Sequence, residues 1–155
     1  MELMTERFKV VGCLAPVNVS SGAWVGKPIN MTNVEQVTFL VYQGAGDSTG
    51  LITVEKGTTS SLGTAIAYNY QVADAGAAAY SELNGALTAA TSSGVAIGTM
   101  PLDNGICAIT INNSELGTSG WVGVKGAASG SATYVAIIAL CRVSHPAAIP
   151  VTVIA

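Results

Sequence analysis

Charge is what this chain has least of. Among its 155 residues are six Lys or Arg, nine Asp or Glu and one His, so 10% are charged, where an ordinary soluble domain has roughly 25%. The six basic residues, Arg7, Lys9, Lys27, Lys56, Lys125 and Arg142, are scattered along the chain. Nucleic-acid binding needs a clustered basic footprint and an anionic lipid surface needs a polybasic segment, so neither nucleic acid nor membrane is expected as a partner. Long apolar runs are missing as well. Half the residues are apolar, yet no run approaches the ~18 that cross a bilayer as a helix. The best run, Tyr134-Val-Ala-Ile-Ile-Ala-Leu-Cys141, is strand-sized, stops at Arg142 and is expected to be buried on both faces.

The residues of catalysis are equally sparse. His145 is the single histidine, set in Ser144-His-Pro-Ala with no Gly-x-Ser-x-Gly elbow in the chain, so a Ser-His-Asp relay has no frame. Cys13, Cys107 and Cys141 lack the Cys-x2-Cys spacing of structural zinc sites. They are expected to be small core residues, an intermolecular disulfide being the lesser option that an odd count allows. The carboxylates Asp74, Glu82 and Asp103 stand apart in loop-like settings and name no acid–base pair. Gly44-Ala-Gly46 with Gly50 lacks the Gly-Lys-Ser/Thr end of a phosphate loop and reads as a turn. No catalytic residue, metal ligand or cofactor site is expected, and an enzyme is the least favoured class.

What the chain does have is alternation. In Val34–Gln43, Val37, Phe39 and Val41 fall on one face and Thr38, Leu40 and Tyr42 on the other; in Leu51–Lys56, Ile52 and Val54 oppose Thr53 and Glu55. With Gly44–Gly50 between them, the two read as strands joined by a glycine-rich turn, a hairpin in which Phe39 is core. Further strands are expected at Phe8–Leu14, at Ala23–Ile29 as an edge strand or irregular crossing because of Pro28, and at 65–72 with Tyr68 and Tyr70 on one face. Others are expected at Val95–Ile97, Gly105–Asn112, Trp121–Lys125, 133–143 and Val151–Ile154. Pro16 and Val17–Gly22 read as a bend and loop, and Asn113–Leu116 as a single helical turn. The Ala-rich stretch 73–94 could be a short helix, but the surrounding pattern favours strand or loop. About eight to ten strands with turns between them predict one all-β domain over 1–155, an antiparallel sandwich or barrel. Residues 1–9 form an N-terminal arm and 146–155 a C-terminal tail. The opening residues lack a basic start followed by an apolar stretch, so synthesis without export is expected; Met4 serves as well as Met1 for the start.

A chain this apolar and this poorly charged must hide or cover its surface, and Lys and Glu are the residues depleted at protein interfaces. A homo-oligomer is therefore expected. Tryptophan and tyrosine dominate interface energetics, which leaves Trp24, Trp121 and Tyr80 as either core residues or contact anchors. Phe8 in the arm and Asp47 in the glycine loop complete the set of possible contact residues.

Three segments taken together, Trp24 with Asn33–Gly44, Leu51–Lys56, and Ile109–Leu116 with the downstream apolar strand 134–141, resemble small virion proteins of tailed bacteriophages regarded as head decoration, or cement, proteins. The similarity runs from about Trp24 to Arg142 and rests on β patterns rather than a catalytic fingerprint. It implies a jelly-roll-like sandwich that binds the outside of the capsid lattice through the major capsid protein. Such a protein is made in the host cytoplasm, is often oligomeric, and has neither cofactor nor catalytic activity. A tail or head-fibre structural protein and a β-sandwich module for carbohydrate or cell-surface partners are the alternatives.

Overall fold

A computed structural model describes residues 8–44, 50–72, 83, 85–96, 105–130 and 133–144. They form an all-β sandwich of twelve strands: β1 (Phe8–Asn18), β2 (Trp24–Val25), β3 (Ile29–Asn30), β4 (Val34–Gln43), β5 (Leu51–Gly57), β6 (Thr64–Ile66), β7 (Tyr68–Gln71), β8 (Thr88–Ala90), β9 (Val95–Ala96), β10 (Gly105–Asn112), β11 (Trp121–Gly126) and β12 (Tyr134–Val143). One sheet runs β1-β12-β4-β10-β7-β8; the other runs β2-β11-β5-β6, with β3 also on β11 and β9 also on β5. Every pairing is antiparallel.

The order has a simple generator. The first strand pairs with the last, β2 and β3 with β11, β4 with β10, and β5 with β9. That is one long antiparallel ribbon folded back on itself near its middle. Rolling the ribbon brings β12 against β4 and β11 against β5, which closes the two sheets. A ribbon rolled in this way is a jelly roll, two Greek keys wound together.

The period-two residues point where their alternation requires. Val37, Phe39 and Val41 of β4, Cys107, Ile109 and Ile111 of β10, and Val135, Ile137, Ala139 and Cys141 of β12 face inward and are buried. They meet Trp24, Ile29, Ile52, Val54, Val122 and Val124 of the second sheet in a single cluster. The Tyr68 hydroxyl reaches across and donates to the Ile52 carbonyl oxygen at 2.7 Å, linking the sheets by a hydrogen bond at their margin. Asn113–Leu116 forms a 3-10 turn that ends at Gly117, whose φ of 62° lies in the left-handed region open to glycine.

Four expectations need correction. Residues 34–56 are not a hairpin: β4 and β5 lie in opposite sheets, because β4 is already flanked by β12 and β10. Alternation dictates which side chains face inward and leaves the pairing partner open. The stretch 65–72 is not one strand either. Residues 64–66 pair with β5 and 68–71 with β10, so the chain changes sheets at Ala67 without interrupting its apolar–polar rhythm. Third, β1 does not stop before Pro16 but runs to Asn18, absorbing the proline through register shifts between Gly12 and Leu14 and between Leu14 and Val17. Bulges on a sheet edge are where a strand tolerates a missing N–H. Fourth, 134–141 is buried on one face only, with Tyr134 and Ile138 exposed. The helix option at 73–94 finds no support in Thr88–Ala90, which is strand; 73–82 and 84 lie outside the described residues, as do the predicted tail strand Val151–Ile154 and His145.

Candidate functional site

The proposed contact residues scatter. Trp24 is 4% exposed on β2, and its indole lies flat over the backbone at Gly126, where any Cβ would collide with the ring. Its Nε1 is buried with no hydrogen-bond partner among the described residues. Trp24 is thus a core residue packed at the β2–β11 edge. Trp121, at the start of β11, is half-buried between Asn30 and Gly57 in register. Phe8, at the start of β1, is half-buried opposite Arg142. Asp47 and Tyr80 lie outside the described residues, as do Asp74, Glu82 and Asp103. Trp24, Trp121 and Phe8 therefore form no single surface.

The cysteines sit in the core. All three are free and buried, so an intermolecular disulfide has no exposed thiol to start from. Burial pushes Cys107 up to about 12 and, with the neighbouring Cys141 thiol, Cys13 up to about 12; burial also takes Cys141 up to about 11. A thiol that keeps its proton is neither nucleophile nor metal ligand. Among the described residues no group of three His, Cys, Asp or Glu side chains converges as a metal site would require.

The surface that does converge is one the sequence reading passed over. On the outward face of the first sheet, β12 places Tyr134, Ala136 and Ile138 beside Leu40 and Tyr42 of β4, with Ile106 of β10 next in line. Leu40, Tyr42, Ile106, Ala136 and Ile138 line an open depression of about 310 Å³, the Tyr42 hydroxyl being the one polar side-chain group among these five residues. Tyr134 is 55% exposed, Ile138 47% and Tyr42 44%. Across β12, Val10 of β1 is exposed beside Leu140, and Gly12 faces Ile138 with nothing near its missing side chain. Farther along, β4 and β10 turn polar, whereas β12 and β1 keep Leu140 and Val10 in the same row. Gln36 Nε2 donates to Asn112 Oδ1 at 2.9 Å, the Thr38 and Thr110 hydroxyls share a hydrogen bond at 3.1 Å, and Arg142 Nε lies 3.3 Å from Glu35 Oε2.

The signal for this face was present in the sequence. In β4 and β12 apolar residues occupy both parities, Leu40 and Tyr42 against Phe39 and Val41, Ala136 and Ile138 against Val135 and Ile137. A second cavity of about 220 Å³ lies at the opposite margin, between Tyr68, Asn69, Ala90 and Glu115. Its one carboxylate accepts a hydrogen bond from Asn112 Nδ2 at 2.7 Å, and a single carboxylate already engaged in this way makes no acid–base pair.

A scan against protein-family models and searches of curated proteins and of solved structures return no match to this chain.

Proposed function

We propose that the chain is a structural virion protein that seats on the outside of a bacteriophage capsid lattice and braces the head, as a decoration protein does. On this reading the major capsid protein is its partner, the capsid exterior is its place after synthesis in the host cytoplasm, and it uses no cofactor and catalyses no reaction. The observation that carries the proposal is the apolar, uncharged half-face around Tyr42, Ile106 and Ile138. Exposed apolar patches of this kind mark protein contacts. The jelly-roll order and the scarcity of charge support the same reading.

The test is co-sedimentation of purified protein with expanded, DNA-free capsids of the phage that encodes it. Saturable binding at a fixed ratio to the major capsid protein is expected, and protein left in the supernatant sinks the reading. Assembly into rings or tubes in isolation would instead indicate a tail component. The exposed pair Tyr42 and Tyr134 favours a second reading, a carbohydrate-binding module stacking sugar rings on tyrosines. It is the weaker one, because among the residues that line the depression only Tyr42 carries a polar side-chain group to hold sugar hydroxyls. Glycan-array binding that is lost in Tyr42→Ala would favour it.

A further inference from the structure

We infer that the apolar half of the first sheet's outward face is covered by a second copy of this chain, packed face to face. This rests on the reading of the chain as an assembly protein, and not on the capsid being its target.

Two observations select the occupant. The first is charge. Leu40, Tyr42, Ile106, Tyr134, Ala136 and Ile138 include no Asp, Glu, Lys, Arg or His, and among the described residues Glu35 and Arg142, at the opposite end of the face, are paired with each other. In an isologous contact residue i meets j and j meets i, and a residue on the two-fold axis meets its own copy, so a charge near the axis would confront its like. This half-face has none to repel. A differently charged partner would be selected by complementary charges that are absent from it, and lipid by basic residues at its rim. The second observation is size. Four strands about 4.8 Å apart and roughly nine residues long at ~3.3 Å each make a face of about 15 by 30 Å. With side-chain relief that is of the order of the ~800 Å² each partner contributes to a standard interface. The apolar half supplies the dry centre and the hydrogen-bonded Gln36–Asn112 and Thr38–Thr110 pairs supply a polar rim. The open ground at Gly12, opposite Ile138, leaves room for a side chain of the copy.

The experiment is sedimentation equilibrium of the full chain at micromolar concentrations, for wild type, Ile138→Asp, Tyr42→Ser and Thr38→Lys, each first shown to melt cooperatively. Wild type is expected to associate. Ile138→Asp, counted twice in a two-fold contact, is expected to weaken association by about 100-fold or more. Tyr42→Ser, the milder change should the aspartate variant fail to fold, is expected to weaken it by about tenfold. Thr38→Lys, on the polar half, is expected to change it by less than about threefold. A monomeric wild type overturns the inference, even where it binds capsids and Ile138→Asp does not, since the shell is then what covers the face. Association undiminished in both apolar-half variants also overturns it, as does dissociation by Thr38→Lys equal to that by Ile138→Asp. Association with the expected pattern but no capsid binding upholds this inference and removes the proposed function.

Discussion

The two halves of the first sheet's outward face are built from the same four strands, over the same buried layer, and differ only in what points away from the core. At the polar end Gln36, Thr38, Thr110 and Asn112 bond to one another across the strands. At the apolar end Leu40 stands in register with Ile138, and Tyr42 with Ala136 and Ile106. Cross-strand side-chain pairs stabilise a sheet either way, by a few tenths to about 1 kcal/mol each. Leaving the apolar end open to water forgoes roughly 25 cal/mol per Å² that a cover would recover. The contrast separates what this sheet needs to fold from what it presents to a partner.

The largest way to break the contrast is to remove what both halves share. Phe39 is 0% exposed at the centre of β4, and Phe39→Ala is expected to cost about 3–5 kcal/mol and to lower Tm in one cooperative transition. An unchanged Tm would mean that β4 does not carry the core. High pH strains the same layer. Unfolding returns the thiols toward their ordinary value of 9.0, whereas the folded chain holds Cys13 and Cys107 near about 12 and Cys141 near about 11. Below pH 9 both states keep these protons and stability is intact. Above it the unfolded chain releases protons that the folded chain retains, so stability falls as pH rises toward about 12. Melting curves from about pH 8 to about pH 11 should show Tm declining, less steeply in Cys107→Ala.

Smaller changes separate the two ends. Tyr68→Phe removes the hydrogen bond to the Ile52 carbonyl, at about 1 kcal/mol by chemical denaturation. Thr38→Ala on the polar half should cost less, about 0.5 kcal/mol, because Thr110 is only part-buried and can turn to water. The smallest effect is expected at the apolar end. Under conditions that keep the chain monomeric, Ile138→Thr should shift stability by no more than about 0.5 kcal/mol. A loss of several kcal/mol there would show that the apolar half serves folding after all.

The inward residues were readable in the sequence because a two-residue period leaves little choice: Val37, Phe39, Val41, Ile52, Val54, Cys107, Ile109 and Ile111 all lie where alternation placed them. Pairing was not readable. Whether β5 folds back on β4 or crosses to the opposite sheet depends on strands that arrive about 50 to 90 residues later, and no local pattern records it. The apolar face was misread for a related reason. An apolar residue on the second parity of β12 has the same composition whether a sheet layer or another molecule covers it, so Ile138 looked like a residue buried on both sides. Trp24 and Trp121 drew attention as contact anchors because they are large and few; the first is held by its fit against Gly126.

The place of β12 between β1 and β4 also sets a timetable. Phe8 finds its partner only at Arg142, and Val37 finds Cys141. A chain made from its N-terminus therefore carries β1 and β4 for most of its synthesis with no common neighbour and with an unpaired edge on each. Such edges are templates for the wrong strand, and contacts this distant in sequence form slowly. Completion of β12 is the step that turns a ribosome-bound string of aggregation-prone strands into a closed sheet, and a nascent chain stalled before Tyr134 is expected to be held by chaperones or lost to aggregation.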